Sequence, residues 1–134
     1  MATIFERIVS GEIPCYKVAE NKDFLAFLDV NPLVEGHVLV IPKKCTDYIF
    51  DMEEEEYAKL HVFAKHVARA IKAVVPCRKV GVAVVGLEVP HAHIHLIPMN
   101  VVADMNFANP KKSFAPELLT QIAAKISDAF KLAS

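Results

Sequence analysis

Three histidines alternate with apolar residues in the segment His91-Ala92-His93-Ile94-His95-Leu96. In a β-strand, successive side chains point to opposite faces, so the three histidines are predicted to line one face and the apolar residues the other. Near pH 7 an imidazole can act as a nucleophile, as a proton donor or acceptor, and as a metal ligand. A row of three imidazoles therefore predicts a reactive site on this strand.

Two kinds of chemistry are open to such a row. His93 has an imidazole on either side and is the natural nucleophile towards phosphorus or an acyl carbon, with its neighbours donating a proton and binding the phosphoryl oxygens. Alternatively, two neighbouring histidines and a third ligand such as His37 could chelate a metal ion. All three on one ion would be difficult, because His91 and His95 lie ~13 Å apart along a strand. We expect covalent chemistry without a metal or a cofactor.

Composition describes one globular domain that spans residues 1–134. Hydrophobic residues make up 54% of the chain and charged residues 23%, and the formal net charge is −1, which does not favour nucleic acid or anionic membranes as partners. No apolar run reaches the ~18 residues that a membrane span requires, and the N-terminus does not resemble a secretory signal. Three cysteines with no paired spacing favour reduced thiols. We therefore expect a cytoplasmic protein.

Apolar periodicity predicts the order helix, three strands, helix, two strands, irregular segment, helix. Asp51, with Glu54 three residues later, is predicted to cap the long central helix, which Pro76 ends. The continuous apolar run 80–85 is predicted to be a central strand buried on both faces. The other predicted elements are a helix over 3–9, strands over 15–19, 24–29, 37–41 and 89–97, an irregular segment over 101–115 and a helix from Pro116. Together they predict an α+β fold on a largely antiparallel five-stranded sheet.

The segment His91–Ile97 also fits the pattern His-φ-His-φ-His-φ-φ, where φ is apolar. It resembles the signature of the histidine triad (HIT) family, and three regions upstream resemble other parts of that family: 3–14, 25–30 and 36–44. The similarity is greatest to the Hint-like branch, the nucleoside phosphoramidate hydrolases once called protein kinase C inhibitors. The resemblance implies a HIT-like fold whose sheet extends across a homodimer, and an AMP-type purine nucleotide as ligand.

The resemblance also implies a role for each matching residue. His93 matches the nucleophile that forms a nucleotidyl-histidine intermediate, His95 the residue that contacts the phosphate and leaving group, and His91 and His37 the supporting histidines. Asp29 matches the carboxylate that accepts hydrogen bonds from the ribose hydroxyls. The remaining nucleotide-binding residues are expected to be Phe27, Leu28, Val30, Ile4, Phe5, Ile13 and Glu88, although simple core packing is an alternative for the apolar ones.

The sequence departs from the family pattern near the expected phosphate. Leu87 stands where many members carry a glutamine, Glu88 where a small polar residue is common, and the run 80–85 lacks an asparagine that many members have. Pro90 removes a backbone donor just before His91. Two alternatives therefore accompany the prediction of a phosphoramidate hydrolase, namely a dinucleoside polyphosphate hydrolase and a nucleotide-binding scaffold with little activity.

Overall fold

The computed structural model describes residues 2–133 and contains five strands and three helices. The strands are β1 (Lys17–Glu20), β2 (Phe24–Leu28), β3 (Val38–Pro42), β4 (Lys79–Ala83) and β5 (Ile94–Met99); the helices are α1 (Ile4–Val9), α2 (Glu54–Val74) and α3 (Pro116–Ala133). The strands form one antiparallel sheet in the order β1-β2-β3-β5-β4. The α+β class and the five-stranded sheet predicted from the sequence are confirmed.

The two faces of the sheet have different coverings. Helices α2 and α3 cover one face, where apolar side chains from four strands form the main core with them: Val18, Ala26, Val38, Val40, Ile94 and Leu96. A smaller cluster on the opposite face joins α1 to β2 and β3 through Phe5, Leu25, Phe27, Leu39 and Ile41. Because alternate residues of β2 and β3 serve the two clusters, these strands are buried throughout.

Helix α1 begins with a reciprocal cap. The Thr3 hydroxyl accepts a hydrogen bond from the Glu6 backbone N–H at 3.0 Å, and the Glu6 carboxylate accepts one from the Thr3 N–H at 2.9 Å. This capping box satisfies two backbone donors that would otherwise lack partners, which allows a helix of only six residues to hold its place.

The predicted start of α2 is wrong. The residue that precedes the helix is Glu53, whose side chain makes no capping bond, while Asp51 ends a short 3₁₀ turn over Ile49–Asp51. The acidic run Glu54–Glu56 occupies the first turn of the helix, where the helix dipole favours negative charge. The helix dipole thus supplies part of the stabilisation that the sequence predicts from a side-chain cap.

The predicted position of the 80–85 strand is also wrong. Strand β4 ends at Ala83 and lies at the edge of the sheet, with Val82 60% exposed. The predicted 89–97 strand starts later, at Ile94, and continues through Pro98. Proline is tolerated there because β3 pairs with β5 only as far as Leu96, which leaves Pro98 with a single neighbouring strand.

Within residues 2–133 no helix is long and apolar enough to cross a membrane. Cys15, Cys45 and Cys77 are half-buried free thiols. The 101–115 segment is irregular, as predicted, apart from a 3₁₀ turn over Val102–Met105.

Candidate functional site

The histidine row lies where the chain enters β5. Only His95 belongs to the strand, but the predicted alternation holds throughout, because Ala92, Ile94 and Leu96 all pack in the helix-side core. The histidines occupy the opposite face, where the ring centroids of His93 and His95 are 5.0 Å apart. Phe5 of α1 packs edge-on against His91 and His93, with ring centroids 5.7 and 5.0 Å apart, respectively. Helix α1 thus supports the row from outside the sheet.

The fourth histidine comes from the neighbouring strand. Pairing of Val38 with Leu96 places His37, one residue before β3, beside β5. His37 Nε2 and His95 Nδ1 are 3.0 Å apart. The structure therefore brings together all four histidines that the sequence analysis selected.

Backbone carbonyls fix the proton on two of these rings. A carbonyl oxygen can only accept, so the nitrogen that faces it must carry the hydrogen. His93 Nδ1–H donates to the His91 carbonyl at 2.7 Å, and His91 Nε2–H donates to the Pro42 carbonyl at 2.8 Å. A neutral His93 is then bare at Nε2. A neutral His91 is bare at Nδ1, which accepts from the Thr3 hydroxyl at 3.1 Å.

A backbone N–H fixes the proton positions on the other two rings, His37 and His95, because a ring nitrogen that faces a donor must be bare. Leu33 N–H donates to His37 Nδ1 at 3.1 Å, so neutral His37 carries its hydrogen on Nε2 and donates to His95 Nδ1. His95 then presents an N–H at its own Nε2. Both rings are neutral near pH 7: burial, with a further contribution from a neighbouring imidazole, lowers the pKa of His37 to about 3 and that of His95 to about 4.

The two remaining ring nitrogens are open to the solvent. Neither His93 Nε2 nor His95 Nε2 has a hydrogen-bond partner among the described residues. Every buried side-chain nitrogen or oxygen among those residues does have a partner, so these two nitrogens are not buried. The site therefore presents one bare nitrogen and one N–H donor side by side. Such a pair can attack an electrophilic centre and hydrogen-bond to an oxygen attached to it.

Asp29 follows β2 and faces His37. One carboxylate oxygen accepts the Asn31 N–H at 2.9 Å, and the other lies 3.8 Å from His37 Nε2. Because His37 is neutral, this contact is not an ion pair. Burial raises the pKa of Asp29, and the bond from Asn31 opposes that shift. The second oxygen is left able to accept hydrogen bonds from a ligand.

Asp29, His37 and His95 could hold a metal ion by distance alone, since their ligand atoms lie within 4.8 Å of one another. An aspartate with two histidines is a donor set that Zn²⁺ accepts. A histidine must, however, offer a bare nitrogen to the metal. His37 cannot do so at Nε2 unless it breaks its bond with the Leu33 N–H or becomes an anion. The hydrogen bonding thus disfavours the metal alternative at this cluster.

The residues expected around the nucleotide divide into two groups. Phe5 and Phe27 are buried beside the histidines, with ring centroids 5.8 Å apart. Three further residues are at least partly exposed: Ile4, Ile13 and Val30.

Two of the expected nucleotide-binding residues require correction. The Leu28 side chain packs in the helix-side core, because it alternates with Phe27 along β2. Glu88 is exposed and lines a cavity of about 680 Å³ beside Tyr48, Phe50 and Tyr57. Neither side chain belongs to the histidine cluster.

Sequence reasoning missed several groups that build the site. The Thr3-x-x-Glu6 spacing is a capping-box signal that could have identified Thr3. The Pro42 carbonyl and the Leu33 N–H belong to the main chain and leave no side-chain signal. Phe107, from the irregular segment, packs edge-on against His95 with ring centroids 4.8 Å apart. Its position depends on how that segment folds back over the sheet.

Residues 10–101 match the HIT domain family. The chain is 34% identical over 134 residues to the adenosine 5′-monophosphoramidase of Schizosaccharomyces pombe, covering 98% of this chain and all of the relative. It is 38% identical over 98 residues to the corresponding enzyme of Saccharomyces cerevisiae, covering 72% of this chain and 62% of that enzyme. Its fold is similar to that of a HIT-like protein from Bartonella henselae, with a TM-score of 0.81, 29% identity and 95% coverage of both chains. The chain therefore belongs to the HIT domain family.

Proposed function

We propose that this HIT-family nucleotide hydrolase cleaves purine nucleoside 5′-phosphoramidates or related AMP conjugates through a covalent nucleotidyl-His93 intermediate. The observation that carries the proposal is the hydrogen bond from His93 Nδ1 to the His91 carbonyl, because it leaves the lone pair of Nε2 free. The relatives named as adenosine 5′-monophosphoramidases support the choice of substrate.

In the first step, the lone pair of His93 Nε2 forms a bond to phosphorus and the bond from phosphorus to the amine nitrogen breaks. The departing amine retains that bonding pair and takes up one proton through solvent. His93 becomes a cationic, doubly substituted ring, which the His91 carbonyl stabilises by accepting its Nδ1–H at 2.7 Å. The His95 Nε2–H is positioned to hydrogen-bond a phosphoryl oxygen as negative charge develops there.

In the second step, water attacks phosphorus, releases one proton to solvent and returns the bonding pair to His93 Nε2. AMP is the product, and the proton taken up in the first step is balanced by the one released in the second. Neither step requires a metal ion or a cofactor. Asp29 would hold the ribose hydroxyls through its free carboxylate oxygen, while Phe5 and Phe27 would pack against the base.

We further propose that the chain forms a homodimer in the cytoplasm. The edge of β4 supports the dimer, because its backbone has no strand beyond it in the described chain and Val82, Val84 and Val85 are 60%, 39% and 47% exposed. An unpaired apolar edge favours pairing with a second copy of the same strand. The free cysteines support a reducing compartment.

The decisive experiment measures AMP release from adenosine 5′-phosphoramidate, with a chelator present, by the wild type and by His93→Ala. Loss of the nucleophile should reduce kcat by about four orders of magnitude or more while AMP binding persists. The matched control is His66→Ala, which removes an exposed imidazole from α2 and should retain full activity.

A second readout is the mass of the protein after the reaction is quenched without acid. The wild type should carry one nucleotidyl adduct, and His93→Ala should carry none. Equal turnover by the two proteins would refute the assignment of the nucleophile. Turnover of diadenosine polyphosphates but not of phosphoramidates would show that the enzyme is a dinucleoside polyphosphate hydrolase instead. AMP binding with no turnover of either substrate would favour a nucleotide-binding scaffold.

A further inference from the structure

The segment that follows β5 is fastened across the histidine face. Its 3₁₀ turn begins where the Asp104 carboxylate accepts the backbone N–H groups of Asn100 and Val101, at 2.8 and 3.1 Å. Further along, Lys112 N–H donates to the Pro32 carbonyl at 2.8 Å. Pro32 neighbours Leu33, whose N–H sets the proton on His37. The segment is thus tied to the same loop that organises the site.

This fastening places an aromatic ring and a cation at the border of the site. The Phe107 ring meets the His95 ring edge-on, with an interplanar angle of 72°. The Lys111 ammonium lies 5.4 Å from the centroid of the same Phe107 ring and donates to the Phe107 carbonyl at 3.1 Å. The ammonium and the His95 imidazole therefore contact the same phenyl ring, while the lysine side chain remains exposed.

Two of the histidines supply no positive charge to an anionic ligand. His37 and His95 are neutral near pH 7, and Asp29 contributes a carboxylate. Burial is the main cause of the lowered pKa at both histidines, and the Lys111 charge adds to it. At Asp29 the same charge opposes the effect of burial. The Lys111 charge therefore interacts with His37, His95 and Asp29.

We propose that Lys111 binds the phosphate of the nucleotide and supplies the cationic contact that His37 and His95 cannot. This inference rests on the proposed function in taking an AMP-type nucleotide as the ligand. A phosphate dianion is unfavourable beside Asp29 alone, and a flexible four-carbon side chain anchored at the rim can turn from the Phe107 carbonyl to a phosphate oxygen. The face of the Phe107 ring holds the ammonium at the border of the site.

The test compares the affinities of AMP and adenosine, measured by calorimetry, for the wild type, Lys111→Ala, Lys111→Arg and Lys112→Ala. Because the lysine is exposed, Lys111→Ala should weaken AMP binding about tenfold, near the lower end for a charge-assisted hydrogen bond. Adenosine affinity should not change, since adenosine carries no phosphate. Lys111→Arg should retain most of the AMP affinity, and the loss in Lys111→Ala should shrink at high salt.

Lys112→Ala is the matched control, because it removes an adjacent exposed lysine but retains the backbone N–H that bonds Pro32. It should bind both ligands as the wild type does. If Lys111→Ala leaves AMP affinity unchanged, or weakens AMP and adenosine equally, the proposed role of Lys111 is overturned and the proposed function is untouched. If the wild type binds neither ligand, both proposals are overturned.

Discussion

Acid is predicted to destabilise the fold through His37 and His95, which are 2% and 8% exposed. Their folded pKa values, about 3 and about 4, lie below the ordinary value of 6.5. Below pH 6.5 the unfolded chain therefore takes up two protons that the native protein excludes. The stability due to neutral burial is fully present above that pH and is lost as the pH falls towards the folded values. Between pH 7 and pH 5, linkage gives a loss of about 2 kcal/mol for each ring.

The perturbation is His37→Asn, which replaces the ring by a neutral amide that can still accept the Leu33 N–H. Over the same pH interval, the wild type should lose about 4 kcal/mol of unfolding free energy through the two rings and the variant about 2 kcal/mol. Urea denaturation at both pH values measures each loss. Groups that do not contact His37 contribute equally to both proteins and cancel in the comparison.

His66→Asn is the control, because an exposed ring on α2 loses little solvation when the protein folds. It should show the same acid loss as the wild type. If His37→Asn also lost as much as the wild type, His37 would not be buried as a neutral ring, and the proton arrangement derived from it would fall as well.

Two further predictions concern the frame around the site. Gly36→Ala should cost about 2–4 kcal/mol in unfolding free energy, because the backbone φ is +89° and an added Cβ would lie 2.9 Å from Val75 Cγ2. Gly11→Ala is the control and should cost only about 1 kcal/mol, because its φ of +84° is similar but the space around it is open. Equal costs in thermal or urea unfolding would contradict the packing argument. Val82→Glu should convert the proposed dimer to a monomer in light scattering. Leu132→Glu should not, because Leu132 is 89% exposed on α3, which packs against β1 at the opposite edge of the sheet. A wild type that is already monomeric would overturn the proposed dimer.

Local patterns explain most of what the sequence could predict. The alternation around His93 survives even though only part of it is regular strand, because a core that accepts Ala92, Ile94 and Leu96 fixes the side to which the histidines point. Helix α2 follows from its apolar stripe for the same reason. In both cases one buried face is enough to determine the element.

Errors arose where the answer depends on distant parts of the chain. The apolar run that contains Val82 reads alike whether its strand is central or at an edge, and strand order is not written in a local pattern. Asp51 and Glu53 lie in one acidic stretch, and the 3₁₀ turn before α2 decides between them. Phe107 lies against His95 in a segment that is tied back to the β2–β3 loop through Lys112.

The carbonyls of Pro42 and His91 have a consequence for how this site can vary among proteins. They choose which nitrogen of each ring is bare, yet every residue type carries the same carbonyl. Substitution scans and residue comparisons will therefore register the identity of the rings but not the groups that set their reactivity. A homologue could keep all four histidines and lose the nucleophile through a shift in backbone path alone, or exchange many neighbouring side chains and keep it.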